Sequence, residues 1–219
     1  MPVFGDGHLG LAFPSLGRRV HDFNVLDVMS ANGMIDYDRF TLFCVCADHR
    51  NDLQPDACLV FGSHGTVNPA EFQMVQLDDA RGGWKVRIQR TATQEVFRRP
   101  FVAKLDSTVW LNKLSVERAE EINTALGAQR WQHLHVVDCN RVDQMPTLLM
   151  SFDDVRLDLH PRMYIRKDLV EGQMRCFSSI VPDPEITTDH MTLGMAFMEQ
   201  FIVMFDQREG KVGFKPRVC

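Results

Sequence analysis

The sequence predicts an all-β fold with a few short helices. Three observations carry this. Short stretches rich in aromatic and β-branched residues recur along the chain, and several of them alternate apolar with polar residues. Clusters of Gly, Pro, Asn and Asp separate these stretches, and only one long segment keeps helical spacing.

Gly7-His-Leu-Gly-Leu-Ala-Phe-Pro-Ser15 reads as a short apolar strand ended by a Pro-Ser turn. Asp22 is placed to cap a helix from Phe23 to about Ala31, with Asn32-Gly33 as its stop. Strands at 39–46 and 58–61, joined through a polar segment, read as a long-looped hairpin, and Gly62-Ser-His-Gly65 supplies a turn. Segments 72–77 and 84–90 alternate, with Trp84, Val86 and Ile88 on one face, which is the pattern of an antiparallel meander with one wet face. A β-rich run, Pro100-Phe-Val-Ala-Lys-Leu, then delivers Asp106 into a hydroxyl-bearing turn. Ser115 caps a helix in which Val116, Ala119, Ile122 and Leu126 recur at helical spacing, and Gly127 closes it. Strands follow at Leu134–Val137, 147–152, Val155–Leu159 and 163–165, with a hairpin turn at Asp153-Asp154. A last pair, 201–205 and 211–214, flanks the turn Asp206-Gln-Arg-Glu-Gly210, and no internal repeat or low-complexity segment stands out.

With 219 residues, 45% of them apolar, the chain can bury a core as one large domain or two small ones. A net charge of -5, with no Lys/Arg-rich run, argues against a nucleic-acid partner. No apolar segment approaches the roughly 20 residues that span a bilayer, so no membrane partner is expected. The N-terminal stretch Met1-Pro-Val-Phe-Gly-Asp-Gly7 lacks the basic and apolar regions of a signal peptide, which leaves the compartment open.

Several motifs, in order, resemble the pepsin-like aspartic peptidases (peptidase A1). Leu9-Gly-Leu-Ala-Phe-Pro-Ser15 is similar to a stretch late in that family's N-terminal lobe. Asp106, with the helix that ends Leu126-Gly127-Ala128, is similar to the second Asp-Thr-Gly-Thr-Ser motif and its helix. Gln144-Met-Pro-Thr-Leu148, then Leu193-Gly194 with Phe197, and the ending Phe205-Asp-Gln-Arg-Glu-Gly-Lys-Val-Gly-Phe214 complete the resemblance. It implies one lobe of a bilobal acid-protease fold, with residues 1–37 the tail of the N-terminal lobe and 38–219 the C-terminal lobe. It also implies a disulfide between Cys139 and Cys176, polypeptide substrates, no cofactor, no metal, and a secreted or lysosomal setting.

The same resemblance begins beyond the family's first aspartate and its flap tyrosine. Two carboxylates that share a proton carry the family's chemistry, so Asp106 alone does not suffice. The triplet is altered as well, to Asp106-Ser107-Thr108-Val109-Trp110. Ser107 keeps a hydroxyl, and Thr108 replaces a glycine at a position where a β-branched residue fits poorly if φ is unusual. Val109 removes a hydroxyl expected to donate to the carboxylate, and Trp110 replaces a small Ser. Met195 stands where the family has an acid and is given no role. Lys104, two residues before Asp106 on a strand, shares its face. It either holds the carboxylate ionised or extends to solvent.

The expected function is therefore that of an aspartic-peptidase homologue inactive as a solitary chain, acting as a binding or regulatory module. The alternatives are an active endopeptidase formed by homodimerisation or with a separate N-terminal lobe, and a piece of a longer peptidase. An exposed cleft face predicts an oligomer, a partner chain or poor solubility.

The remaining cysteines and histidines give weaker signals. Cys46 and Cys58 fit a cross-strand disulfide, a zinc site with His49 or His64, or ordinary thiols, and Cys44 shares the face of Cys46. Cys219 reads as a free thiol, and His133 with His135 as a solvated strand face.

Overall fold

A computed structural model describes residues 9–13, 24–44, 57–63, 67–78, 82–89, 100–152 and 154–217. Among these, the elements in chain order are α1 (Val25–Ala31), β1 (Arg39–Cys44), β2 (Ala57–Phe61), β3 (Gln73–Gln76), β4 (Trp84–Ile88), β5 (Phe101–Leu105), β6 (Asn112–Leu114) and α2 (Val116–Ala125). Next come β7 (Gln129–Trp131), β8 (Leu134–Val137), β9 (Leu148–Phe152), β10 (Val155–Leu159), α3 (Pro161–Tyr164), β11 (Ile165–Val170) and β12 (Gln173–Ser178). The chain finishes with β13 (Ile180–Pro182), β14 (His190–Leu193), α4 (Met195–Met198), β15 (Phe201–Asp206) and β16 (Lys211–Pro216). The fold is mostly β with a few short helices, as the alternation in the sequence predicts.

Two five-stranded sheets carry the core, ordered β2-β1-β15-β16-β3 and β13-β6-β14-β5-β4, beside a four-stranded sheet and a hairpin. The first joins the early strands to the last ones, with Phe40 opposite Phe205 in antiparallel register. The second is not the plain meander that the sequence suggests. It contains two parallel pairs, β14 with β5 and β13 with β6, each requiring a long crossover. Hydrophobic alternation fixes which face of a strand is buried and is blind to strand direction, which explains the difference.

Trp84, Val86 and Ile88 are buried on one face of β4, and Phe101, Ala103 and Leu105 on one face of β5, all in a single apolar cluster. Phe40 stacks on Phe205 at 4.6 Å between ring centroids, and Trp84 sets an edge against both. Burying each such side chain contributes about 1.5–3 kcal/mol, which is the main stabilising term.

Other sequence expectations change in detail. Asn24 caps α1, its side chain accepting from the Leu26 and Asp27 N–H groups, so that helix begins later than predicted. Asp22 and Phe23 lie outside the described residues. Leu9–Phe13 forms no strand, although Leu11 and Phe13 pack against the core. Ser115 caps α2 as expected, but Val116 is 45% exposed while Ala119 and Ile122 are buried, so the buried side of the helix begins after Val116. Met163 and Tyr164 belong to α3, where the Pro161 ring favours a helical start, and the strand begins at Ile165. Cys139 and Cys176 form the disulfide that the family resemblance implies, spanning 37 residues of chain. Closing a loop of that length restricts the unfolded chain by about 3–4 kcal/mol in an entropy-only account.

Gly194, between β14 and α4, shows how tightly the second sheet is closed. A Cβ there would lie 2.6 Å from the Val109 carbonyl oxygen, 2.7 Å from that of Leu111 and 2.9 Å from that of Trp110. Gly10 has open space around it within 4 Å among the described residues. Gly194→Ala is expected to lower stability by about 1–3 kcal/mol in urea denaturation, and Gly10→Ala to stay within about 0.5 kcal/mol.

Candidate functional site

Asp106 is the first residue past β5, and its position follows from backbone bonds. Its N–H donates to the Leu193 carbonyl at 3.0 Å, continuing the parallel pairing of β5 with β14. The turn behind it is held by α4. The Met195 N–H donates to Val109 O and the Ala196 N–H to Trp110 O, both at 2.8 Å, while the Gly194 N–H donates to Asn112 Oδ1 at 3.0 Å. Asn112 is buried and its Nδ2 also donates to Ser179 Oγ, which ties β6 to the segment before β13. Leu193 and Gly194, read from the sequence as a structural motif, are the platform of the aspartate turn.

The carboxylate is held from both sides. Oδ1 accepts from the Thr108 N–H at 3.1 Å and from the Thr108 hydroxyl at 2.6 Å. Oδ2 accepts from Lys104 Nζ at 2.8 Å, so of the two alternatives for that lysine the structure takes the ion pair. Burial pushes the Asp106 carboxyl up, but the hydrogen bonds from Lys104 and Thr108, with the lysine charge, outweigh it and hold the group below the ordinary aspartate value.

The structure adds two details to the reading of this turn. Thr108 is not among the residues with positive φ, so its β-branch sits in ordinary backbone and is not strained. The hydroxyl lost at Val109 is supplied one residue earlier, by Thr108 itself. Ser107 is exposed beside the turn. Trp110 is 51% exposed, with the Arg166 guanidinium 4.9 Å above its ring.

Asp106 opens onto a cavity of about 340 Å³ with largely apolar walls, including Phe40, Trp84, Leu105, Met195, Met198 and Phe205. Leu9 to Ala12 also line it. This segment is fastened by the Trp84 indole N–H, which donates to Leu11 O at 2.7 Å, and by the Gly83 N–H, which donates to Phe13 O at 3.0 Å. Met195, given no role from the sequence, therefore both lines the cavity and secures the turn. A signal for the wall was present in the sequence and missed. Leu9-Gly-Leu-Ala-Phe13 repeats Leu193-Gly-Met-Ala-Phe197 with one change at the middle residue.

The other candidates do not gather here. Cys58 is a free, exposed thiol, facing Phe43 in the β1–β2 pair. Cys46, His49, His64 and Cys219 lie outside the described residues, and no group of three or more metal-type ligands occurs among the described ones. His135 is buried rather than solvated, its Nε2 2.9 Å from Glu120 on α2, and His133 falls in the turn before β8. Alternation within β8 cannot mark His135 as buried, because its partner Glu120 stands on the preceding helix α2. No helix among the described residues is long and apolar enough to cross a membrane.

An aspartate presented at a strand end by a glycine-seated turn, in a mostly β chain with a Cys139–Cys176 disulfide, fits an acid-protease lobe. The chain belongs to the eukaryotic aspartyl protease family, whose model matches residues 2–217. Among characterised proteins it is similar to cathepsin E from Mus musculus, 26% identical over 228 residues that cover 97% of this chain and 54% of that protein. It is also similar to cathepsin D from Mus musculus, 23% identical across 95% of this chain and 52% of the relative. Pepsin A from Sus scrofa is 24% identical across 96% of this chain and 54% of its own length. The chain thus spans about half the length of these relatives.

The sign of the Asp106 shift fixes its pH dependence. A carboxyl held below its unfolded value contributes stability that is present above about pH 3.8 and is lost as pH falls through the folded value. Lys104→Met is expected to move the Asp106 titration upward, measured from the side-chain carboxyl carbon by NMR. An unchanged titration would show that the lysine does not control this group.

Proposed function

We propose that this chain is a peptidase-derived binding lobe, with residues 38–219 the C-terminal lobe and 1–37 the end of the lobe before it, that does not cleave peptides through Asp106. The observation that supports this is the Lys104–Asp106 ion pair at 2.8 Å. Aspartic peptidases need two carboxylates that share one proton, so that one takes a proton from water while the other gives one to the substrate carbonyl. A cation on one member favours its ionised form and opposes that sharing. Thr108 acts in the same direction, because its N–H and hydroxyl both donate to the Asp106 carboxylate and favour its ionised form. Polypeptides are the substrates of the family, and on this reading the cleft binds a polypeptide or protein partner without turning it over.

A second reading has one observation in its favour. The seat of Asp106 on Leu193, Gly194 and α4 is fully formed. A second copy, or a separate N-terminal lobe, would meet a correctly presented aspartate. Peptidase activity would then rise with the square of chain concentration for the homodimer, or appear only on adding the other lobe.

The deciding measurement is cleavage of a quenched fluorescent peptide at about pH 3–5, where the family's paired carboxylates hold one proton. Wild type is expected to match Asp106→Asn, with no cleavage above background. Cleavage by wild type that is abolished in Asp106→Asn would overturn the binding-lobe reading.

A further inference from the structure

We propose that the cavity beside the Lys104–Asp106 pair binds a small, uncharged amphipathic molecule, with a head group such as an amide or alcohol on a hydrocarbon body. This deepens the reading of the site as a binding lobe and rests on it.

The cavity has the size for such a ligand. Its volume of about 340 Å³ lies at the small end of ligand sites, which run from roughly 300 to 1,000 Å³. Its body is apolar, built on the ring cluster of Phe40, Trp84 and Phe205 with Leu105 and Met198 beside them. Lys104 and Asp106 are the only ionisable side chains among its described lining residues.

The charge of the ligand follows from those two. Bonded to each other at 2.8 Å, they present an apolar chamber with no net charge. An anionic or cationic head would leave one charge uncompensated against apolar walls, which is costly, whereas a neutral head adds none.

The hydrogen-bonding character of the head follows from what the pair has left over. A carboxylate accepts at about four positions. The Thr108 N–H, the Thr108 hydroxyl and Lys104 Nζ occupy three of those on Asp106. One acceptor position remains, and the ammonium, with three N–H groups, keeps donors after its bond to Asp106. A head that both donates and accepts, as a primary amide or an alcohol does, matches both.

The test uses three probes with the same tail: octanamide, octanoate and octylamine, at about pH 7, where they are neutral, anionic and cationic. Binding is read by the fluorescence of Trp84 in the otherwise intact chain carrying Trp110→Phe and Trp131→Phe, with calorimetry on wild type as a second measurement. Octanamide is expected to bind saturably and at least tenfold more tightly than either charged probe. Lys104→Met leaves the carboxylate without its cation and is expected to shift the preference to octylamine. Asp106→Asn leaves the ammonium without its anion and is expected to shift it to octanoate.

No saturable binding of octanamide, equal binding of the three probes to wild type, or an unchanged order in both variants would overturn the proposal. Circular dichroism checks the fold of each variant, and if one fails to fold, the wild-type series and the other variant still decide. Loss of amphiphile binding without peptide cleavage would remove this inference alone. Cleavage dependent on Asp106 would remove the reading beneath it.

Discussion

The contact on which the rest of the site depends is the approach of Gly194 to the carbonyls of Val109, Trp110 and Leu111. It leaves no room for a side chain, and it orients the N–H groups of Met195 and Ala196 toward two of those oxygens. The turn that carries Asp106 is therefore shaped by a segment almost ninety residues further along, with β5 and β14 running parallel to bring them together. Asn112 completes the closure by bonding to Gly194 and to Ser179 at once. These are backbone and buried-amide interactions. They use no side-chain atom of Lys104, Val109 or Trp110, so the frame of the turn does not depend on the side chains at those positions.

The frame of the turn and the electrostatics of its aspartate are thus set by different residues. Family membership and fold rest on strand order, the disulfide and the glycine seat. The behaviour of Asp106 rests on two neighbours, Lys104 and Thr108. The threonine supplies two donors to one oxygen and the lysine a cation to the other, and together they outweigh the burial that would otherwise raise the carboxyl. As a partly exposed pair, Lys104 and Asp106 add at most about 1 kcal/mol to stability, so their effect is on protonation far more than on folding.

Much of this was legible in the sequence, for identifiable reasons. The buried face of β4, the Ser115 cap of α2, the antiparallel pairing of β9 with β10 and the last strand pair follow from local spacing and turn chemistry. The proximity of Lys104 to Asp106 follows from the two-residue period of a strand. What was not legible does not show in the spacing of a single element. The parallel direction of β14 depends on β5, almost ninety residues earlier, the burial of His135 goes with its contact to Glu120 of α2, and the donor role of Thr108 comes from the geometry of its own turn. The start of the strand at Ile165 was misjudged because apolar residues 163 and 164 look alike in a short helix and a strand. The kinship of Leu9–Phe13 with the segment after β14 was written in plain letters, but five residues are too few to register as a repeat.

The pairing of β1 with β15 has a consequence for how the chain is made. Residues 39–44 can pair with β2 early, but they find their second neighbour only when residues 201–206 have been synthesised, and the Asp106 turn has no platform until residues 193–196 exist. A ribosome adding some 5–20 residues per second therefore leaves β1 with an open, apolar edge for roughly ten seconds or more. Loop closure over such separations is slow as well, since the entropy of joining distant segments is lost before their contacts form. During that interval Arg39-Phe-Thr-Leu-Phe is a free template for strand pairing with any similar edge. The lobe is thus a late-closing fold, dependent on protection from aggregation until its C-terminal hairpin arrives.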